Sequence, residues 1–326
     1  MLIPLITVIA AFAVLVWSAD AFVAGAASIA ENAGLSPVII GLTIVSLGTS
    51  APEILVSITA ALAGSGGLAI GNAVGSNIAN IGLVLGLTLL LVPFSVHRSC
   101  LRSELPTLLA VTAGTGLLLL DVELGRTDAL LMIATLVLIM VRVVRSQARD
   151  PEVSEDAEAE EESLPHLSPL RAWLAFVVGL TLLIGSSRLL VWGASNIALD
   201  LGVPELVIGL TIVAVGTSLP ELAATVASAA RGHAEIAMGN VVGSNLFNLL
   251  AVMSMPGLLT PEALPANFLL RDYGAMCTAT LMMAAAVYLG HRHPKASGGM
   301  AYLGRGVGAL LCGCYALYYY GLFLTL

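Results

Sequence analysis

The sequence predicts an all-α polytopic membrane protein, with ten transmembrane helices arranged as two inverted five-helix repeats. Three observations lead there. The chain is 58% hydrophobic and 10% charged, with a mean hydropathy of +0.98. Apolar segments of membrane-spanning length recur along it. Part of the first half returns in the second at a constant offset of 168 residues. A soluble domain is about 45–50% apolar and about 25% charged, so lipid must be the solvent over most of this chain. Gly is abundant, 33 of 326 residues, and aromatics are scarce at 5%. That balance suits helices packed closely through small residues in a bilayer.

About 20 apolar residues cross a bilayer. Such segments lie at 2–30, 37–62, 68–93, 104–121, 126–145, 170–198, 204–229, 235–259, 267–289 and 301–325. The long junction 146–169 divides them into an N-terminal unit, 1–145, and a C-terminal unit, 170–326. Eight acids crowd residues 150–162 of that junction, from Asp150 to Glu162. They account for most of the net charge of −8 and read as a solvated linker. Residues 1–18 are apolar without a basic start or a cleavage site, and read as a retained first span. Cys100, Cys277, Cys312 and Cys314 have no zinc spacing; they read as packing residues and leave the redox compartment open. With the N-terminus outside, ten basic residues fall in inner loops and two, Arg126 and Arg271, in outer ones. The positive-inside rule therefore places both termini outside and the 146–169 linker in the cytoplasm of a cell (inner) membrane.

The internal repeat is the strongest signal. Residues 41–80 align with 209–248 without a gap, and 20 of the 40 positions are identical. GLTIVSLGTSAPE is answered by GLTIVAVGTSLPE, and GNAVGSNIAN by GNVVGSNLFN. Shared composition would match Leu and Ala, not Gly, Thr, Ser, Pro, Glu and Asn in order, so the segments are duplicates. Each half holds an odd number of spans, so the second enters the membrane from the opposite side. Inverted repeats of this kind hold ions where the halves meet near the midplane.

Polar side chains in these spans fall into stripes. Thr43, Ser46, Ser50, Glu53 and Ser57 recur at steps of three and four, on one helical face. Thr211, Ser218, Glu221 and Thr225 repeat the pattern, with Ala214 where the first stripe has Ser46. Asn72, Ser76 and Asn80, and their counterparts Asn240, Ser244 and Asn248, make two more stripes. Glu53 and Glu221 stand out. A carboxylate at the bilayer centre costs at least about 2.5 kcal/mol unless it is paired, and no Lys or Arg lies in either stretch. The blander reading is a protonated carboxyl bonded to a neighbouring helix. The sharper one is a bound cation: hard cations take oxygen ligands, about 6–8 for Ca²⁺, and the stripes offer oxygens. Gly48 and Pro52 bracket Thr49-Ser50, as Gly216 and Pro220 bracket Thr217-Ser218. Each proline should break its helix and free carbonyls such as those of Thr49 and Thr217, tolerable at membrane depth where they line a cavity. Gly71, Gly75, Gly239 and Gly243 should let spans three and eight pack closely against two and seven. Asp20 and Arg188 also align at the offset, and inversion makes them interfacial or locally paired residues rather than partners.

The paired GTSAPE/GTSLPE and GNAVGSN/GNVVGSN motifs resemble the two alpha repeats of the calcium/cation antiporter superfamily, in its prokaryotic sodium/calcium exchanger branch. The resemblance implies exchange of Ca²⁺ for Na⁺ at a central cluster of sites, with no cofactor. By position it makes Glu53 and Glu221 the shared carboxylates and assigns the carbonyls of Thr49 and Thr217 to Ca²⁺. Ser50, Ser76, Ser218 and Ser244 would serve flanking Na⁺ sites, assisted by the carbonyls of Ser46 and Ala214, with Asn80 and Asn248 bordering the middle. Asn248 stands where many relatives have Asp, which argues against K⁺ cotransport. Gly75-Ser76 and Gly243-Ser244 stand where the proton-coupled branch usually has Glu, which disfavours proton coupling. An H⁺-coupled cation antiporter and a passive cation channel stay open as alternatives. The sequence shows no P-loop, HExxH or nucleophile–base set, which speaks against an enzyme. The expected partners are membrane lipid and the transported ions, with neither nucleic acid nor an obligatory protein.

Overall fold

The computed structural model describes residues 2–34, 37–64, 66–97, 100–147, 167–202, 214–264, 267–294, 296 and 300–324. The acidic run 150–162 and Thr211 lie outside the described residues. Twelve helices carry the architecture: α1 Leu2–Ala33, α2 Gly41–Thr49, α3 Ala51–Leu62, α4 Gly66–Leu91, α5 Leu105–Leu118, α6 Arg126–Gln147, α7 Pro169–Asp200, α8 Ala214–Thr217, α9 Leu219–Ala230, α10 Ala234–Leu259, α11 Phe268–Gly290 and α12 Arg305–Leu324. Six of them, α1, α4, α7, α10, α11 and α12, are long and apolar enough to cross a bilayer, and the bent pair α2–α3 makes a seventh span. The protein is a polytopic all-α membrane fold. The expected span at 204–229 is helical from Ala214 onward, and its start lies outside the described residues.

α4 and α10 form the centre. In their most apolar stretches 72% and 94% of residues are buried, against 11–33% for α1, α7, α11 and α12, so the latter face the lipid. Ile70, Ile78, Ile81 and Leu85 of α4 pack into one core with Val241, Leu246 and Leu249 of α10. A second core joins Phe22 and Val23 of α1 to Ala172 and Phe176 of α7.

The duplication is visible in the backbone. Gly34 and Gly202, at the ends of α1 and α7, and Gly64 and Gly232, after α3 and α9, all hold positive φ between 61° and 86°. In that left-handed region a glycine ends a helix at no steric cost. α1 and α7 cross through a second glycine pair. A Cβ on Gly25 would sit 2.8 Å from the Ala172 carbonyl, and one on Gly193 would sit 3.0 Å from the Pro4 carbonyl. Pro4 and Gly25 are the counterparts of Ala172 and Gly193. Each glycine therefore meets the other helix near its start, and the two helices run antiparallel. Two short antiparallel ladders add to this exchange. β1 (Phe94–Val96) pairs with β4 (Ala301–Leu303), with Ser95 opposite Tyr302, while β2 (Glu123–Leu124) pairs with β3 (Glu262–Ala263), with Glu123 opposite Ala263. Ser95 and Ala263 are again 168 apart, so each repeat lends the same junction to the other.

Asp20 forms an ion pair with Arg231, in the turn after α9, and not with Arg188. The four cysteines are free thiols, with Cys100 buried.

Overpacking a tight crossing costs about 1–3 kcal/mol. Gly25→Ala and Gly193→Ala should each lower the melting temperature of the detergent-solubilised protein. Gly114→Ala, with nothing within 4 Å of its added Cβ, should not; a fluorescence-detected melt compares all three.

Candidate cation-binding site

Each GTS-x-PE motif forms a helix break. α2 meets α3 at 49°, with Ser50 between them at φ −83°, ψ 1°; Ser218, between α8 and α9, has φ −90°, ψ 5°. Proline has no N–H, so the carbonyl four residues back loses its usual donor. In the second repeat that carbonyl belongs to Gly216, and it accepts the Ser187 hydroxyl at 2.9 Å. Ala19 stands at the matching place in the first repeat, so this cap is not duplicated.

The break carries Glu53 into the first turn of α3 and Glu221 into that of α9. Both are buried, at 1% and 2% exposure, and they lie close enough for their charges to interact. Ser50 of one repeat donates its hydroxyl to Oε1 of Glu221 in the other at 3.2 Å. Oε2 of each carboxylate has no hydrogen-bond partner among the described residues. Neither has a basic partner among them.

Most of the residues singled out from the sequence are buried. Thr49, Ser50, Ser76, Ser218 and Ser244 are buried, as are Asn80 and Asn248 at 1% exposure. The Ser218 hydroxyl and both amide groups, Asn80 and Asn248, lack protein partners among the described residues. Thr217 ends α8 and Ala214 opens it. The Ser46 carbonyl accepts the Ser50 N–H at 2.9 Å and the Thr49 hydroxyl at 3.3 Å. The Ser46 hydroxyl turns back to the Leu42 carbonyl at 2.6 Å.

Sequence reasoning missed two features. The sequence shows Asn72 and Asn240 only as members of stripes, yet both act as braces. Asn72 donates to the Glu53 carbonyl at 3.2 Å, and Asn240 donates to the Glu221 carbonyl at 3.4 Å. Asn240 also donates to Thr225 Oγ1 at 2.9 Å and accepts from Thr49 Oγ1 at 3.2 Å, so it links the repeats. The second feature is a widened π-helical turn opening at Asn80 in α4 and at Asn248 in α10. Such turns free backbone groups and frequently mark functional sites. The usable signal was an Asn opening an otherwise apolar run in both repeats.

The close approach expected of these glycines is found at Gly243, but span eight meets span two of the other repeat there and not span seven. A Cβ on Gly243 of α10 would lie 2.5 Å from the Leu42 carbonyl of α2, whereas those on Gly71 and Gly75 of α4 would meet nothing within 4 Å. α10 is locked against α2 of the other repeat at Gly243, whereas α4 packs as closely through Gly82 and Gly86 against Tyr315 and Cys312 of α12 and, among the described residues, has no close neighbour at Gly71 and Gly75. Asn240 is accordingly fully buried while Asn72 is half-buried.

The sodium/calcium exchanger protein family matches residues 3–145 and 171–324. The chain belongs to that family. The family consists of membrane transporters, not enzymes. CaxA of Alkalimonas amylolytica, by its name a candidate antiporter, is 45% identical, covering 87% of this chain and 89% of the relative. The inner membrane protein YrbG of Escherichia coli is 37% identical, covering 96% and 94%. Among solved structures, the sodium–calcium exchanger NCX_Mj superimposes with a TM-score of 0.81 at 26% identity, covering 97% of each chain. Calcium/cation antiport is the activity this membership supports.

Asn240→Ala would strip three polar groups of one amide, and each buried group left unpaired costs about 1–3 kcal/mol. It should lower both the melting temperature and the rate of ⁴⁵Ca²⁺ uptake. Asn72→Ala, losing one bond at a half-buried position, should do less in both assays.

Proposed function

We propose that this chain is a secondary active antiporter that exchanges Ca²⁺ for Na⁺ across the cell membrane by alternating access at the Glu53–Glu221 site. One observation carries the reading: two carboxylates, one per repeat, are buried among oxygens that have no hydrogen-bond partner, and have no basic partner, among the described residues. Glu53 and Glu221 carry a charge of −2 when ionised, which one Ca²⁺ neutralises. The carbonyls of Thr49 and Thr217 would complete its shell. Na⁺ would use the same carboxylates with Ser50, Ser76, Ser218 and Ser244, the Ser46 and Ala214 carbonyls and the bordering Asn80 and Asn248. Because the carboxylates are shared, the ions would exclude each other, and that exclusion couples the gradients. The unequal cover of the matching glycines Gly75 and Gly243 among the described residues fits one state of an inverted repeat that alternates access. In the membrane we place ten crossings as two units, 1–145 and 170–326, with both termini outside and the 146–169 linker cytoplasmic.

The coupling test is Ca²⁺ uptake into vesicles loaded with Na⁺, against vesicles carrying a pH gradient alone. Uptake driven by Na⁺, in K⁺-free buffer, is expected. Uptake driven equally by the pH gradient would replace Na⁺ by H⁺ in the reading. Glu53→Gln and Glu221→Gln should each reduce Na⁺-driven uptake by at least about a hundredfold, as loss of a charged partner of the ion costs about 3–5 kcal/mol. Both variants should still purify as monodisperse protein. Near-normal exchange in either would refute the site.

Orientation has its own test. Ala63 and Arg231 occupy equivalent places in the two repeats, so single cysteines there, in a background lacking the native four, should react with an impermeant thiol reagent from outside and inside respectively. Reaction of both from one face would overturn the inverted insertion.

A further inference from the structure

Away from the carboxylates, a cleft of about 600 Å³ runs between α5 and α6, with Leu250 of α10 at its floor. That volume lies within the roughly 300–1,000 Å³ of small-molecule sites. Its walls are mainly apolar: Val111 and Leu118 from α5 meet Leu131 and Met132 from α6. One end is cationic. Arg102, before α5, and Arg142, late in α6, both line it, as expected where consecutive helices run antiparallel and the start of one lies beside the end of the other. Both arginines are exposed, and neither forms an ion pair among the described residues.

We propose that this cleft binds one anionic phospholipid, its phosphate held between Arg102 and Arg142 and an acyl chain laid along the apolar groove. The charge at the mouth selects the headgroup: guanidinium groups match phosphate oxygens bidentately, and basic pockets between transmembrane helices take anionic headgroups. The groove is also deep enough. At 1.5 Å rise per residue, Gly114 lies about 18 Å along the helix from Arg102, close to the ~15 Å depth of one leaflet. An acyl chain anchored at the arginines therefore ends near Gly114. The site holds whichever ion couples transport, and in the proposed orientation it faces the cytoplasmic leaflet.

Native mass spectrometry of the full chain in detergent tests it, with phosphatidylglycerol or phosphatidylcholine of the same acyl chains added. The expected result is one phosphatidylglycerol retained in preference to phosphatidylcholine. Its affinity should fall about tenfold or more in an Arg102→Gln/Arg142→Gln variant, since each basic residue near the surface contributes to headgroup attraction. Gly114→Phe provides an arm that keeps both charges. The glycine has open space at its Cβ, and a helical side chain leans toward the helix start, so the ring would fill the groove and should also expel the lipid. Equal retention of the two lipids by the parent protein, or undiminished phosphatidylglycerol in both variants, would overturn the proposal.

Discussion

A carboxylate far from water and, among the described residues, without a basic partner is the constraint on which the rest of this structure depends. Glu53 and Glu221 are almost wholly buried, and they sit within reach of each other's charge. Two ionised carboxylates near each other in a desolvated interior repel, and each is costly to ionise there. Such a pair persists only if something compensates it. The surroundings are accordingly built from oxygens: hydroxyls from four helices, amides from two, and backbone bent at two prolines. The arrangement is costly for a protein alone and useful for one that binds cations.

Duplication explains how so demanding a site is assembled. Each repeat supplies one Glu, one bent helix and one Asn-braced helix, and each brace fixes the carbonyl of its own repeat's Glu. Cross-links then join the copies. Ser50 reaches Glu221, and Thr49 reaches Asn240. Neither repeat holds a complete site, and the two short ladders and the antiparallel α1–α7 crossing set the copies in register. The wide π turns at Asn80 and Asn248 follow the same logic, since an altered ladder at membrane depth is tolerable where protein covers it.

Much of this was legible because the background is so apolar. In a chain that is 58% hydrophobic, Ser, Thr, Asn and Glu at helical spacing stand out, and duplication doubles the signal. The helix breaks were readable from Pro52 and Pro220, because a missing N–H acts locally. What escaped depends on tertiary placement. Nothing in the local sequence separates Asn240, which bridges repeats, from Asn72, which does not among the described contacts. The Gly216 carbonyl finds its donor on α7, far along the chain, and the partner of Asp20 is a turn 211 residues away. Gly75 and Gly243 stand at matching places and read identically, yet among the described residues Gly243 is packed and Gly75 is open.

That inequality shows what a duplicated sequence can and cannot impose. Identical motifs give both repeats the same ligand types, but the residues around them have diverged. Asp20 pairs with Arg231, while the equivalent places hold Arg188 and Ala63, which cannot form an ion pair with each other. Ser187 caps the Gly216 carbonyl, while Ala19 has no hydroxyl to offer Gly48. An exposed ion pair contributes at most about 1 kcal/mol and a neutral hydrogen bond about as much. In the proposed alternating-access cycle, a conformation with the repeats' roles exchanged would lose these contacts and find no duplicates of them. Contacts outside the ligand set would then give the two states unequal energies, and the places where the repeats differ would set how far the equilibrium leans.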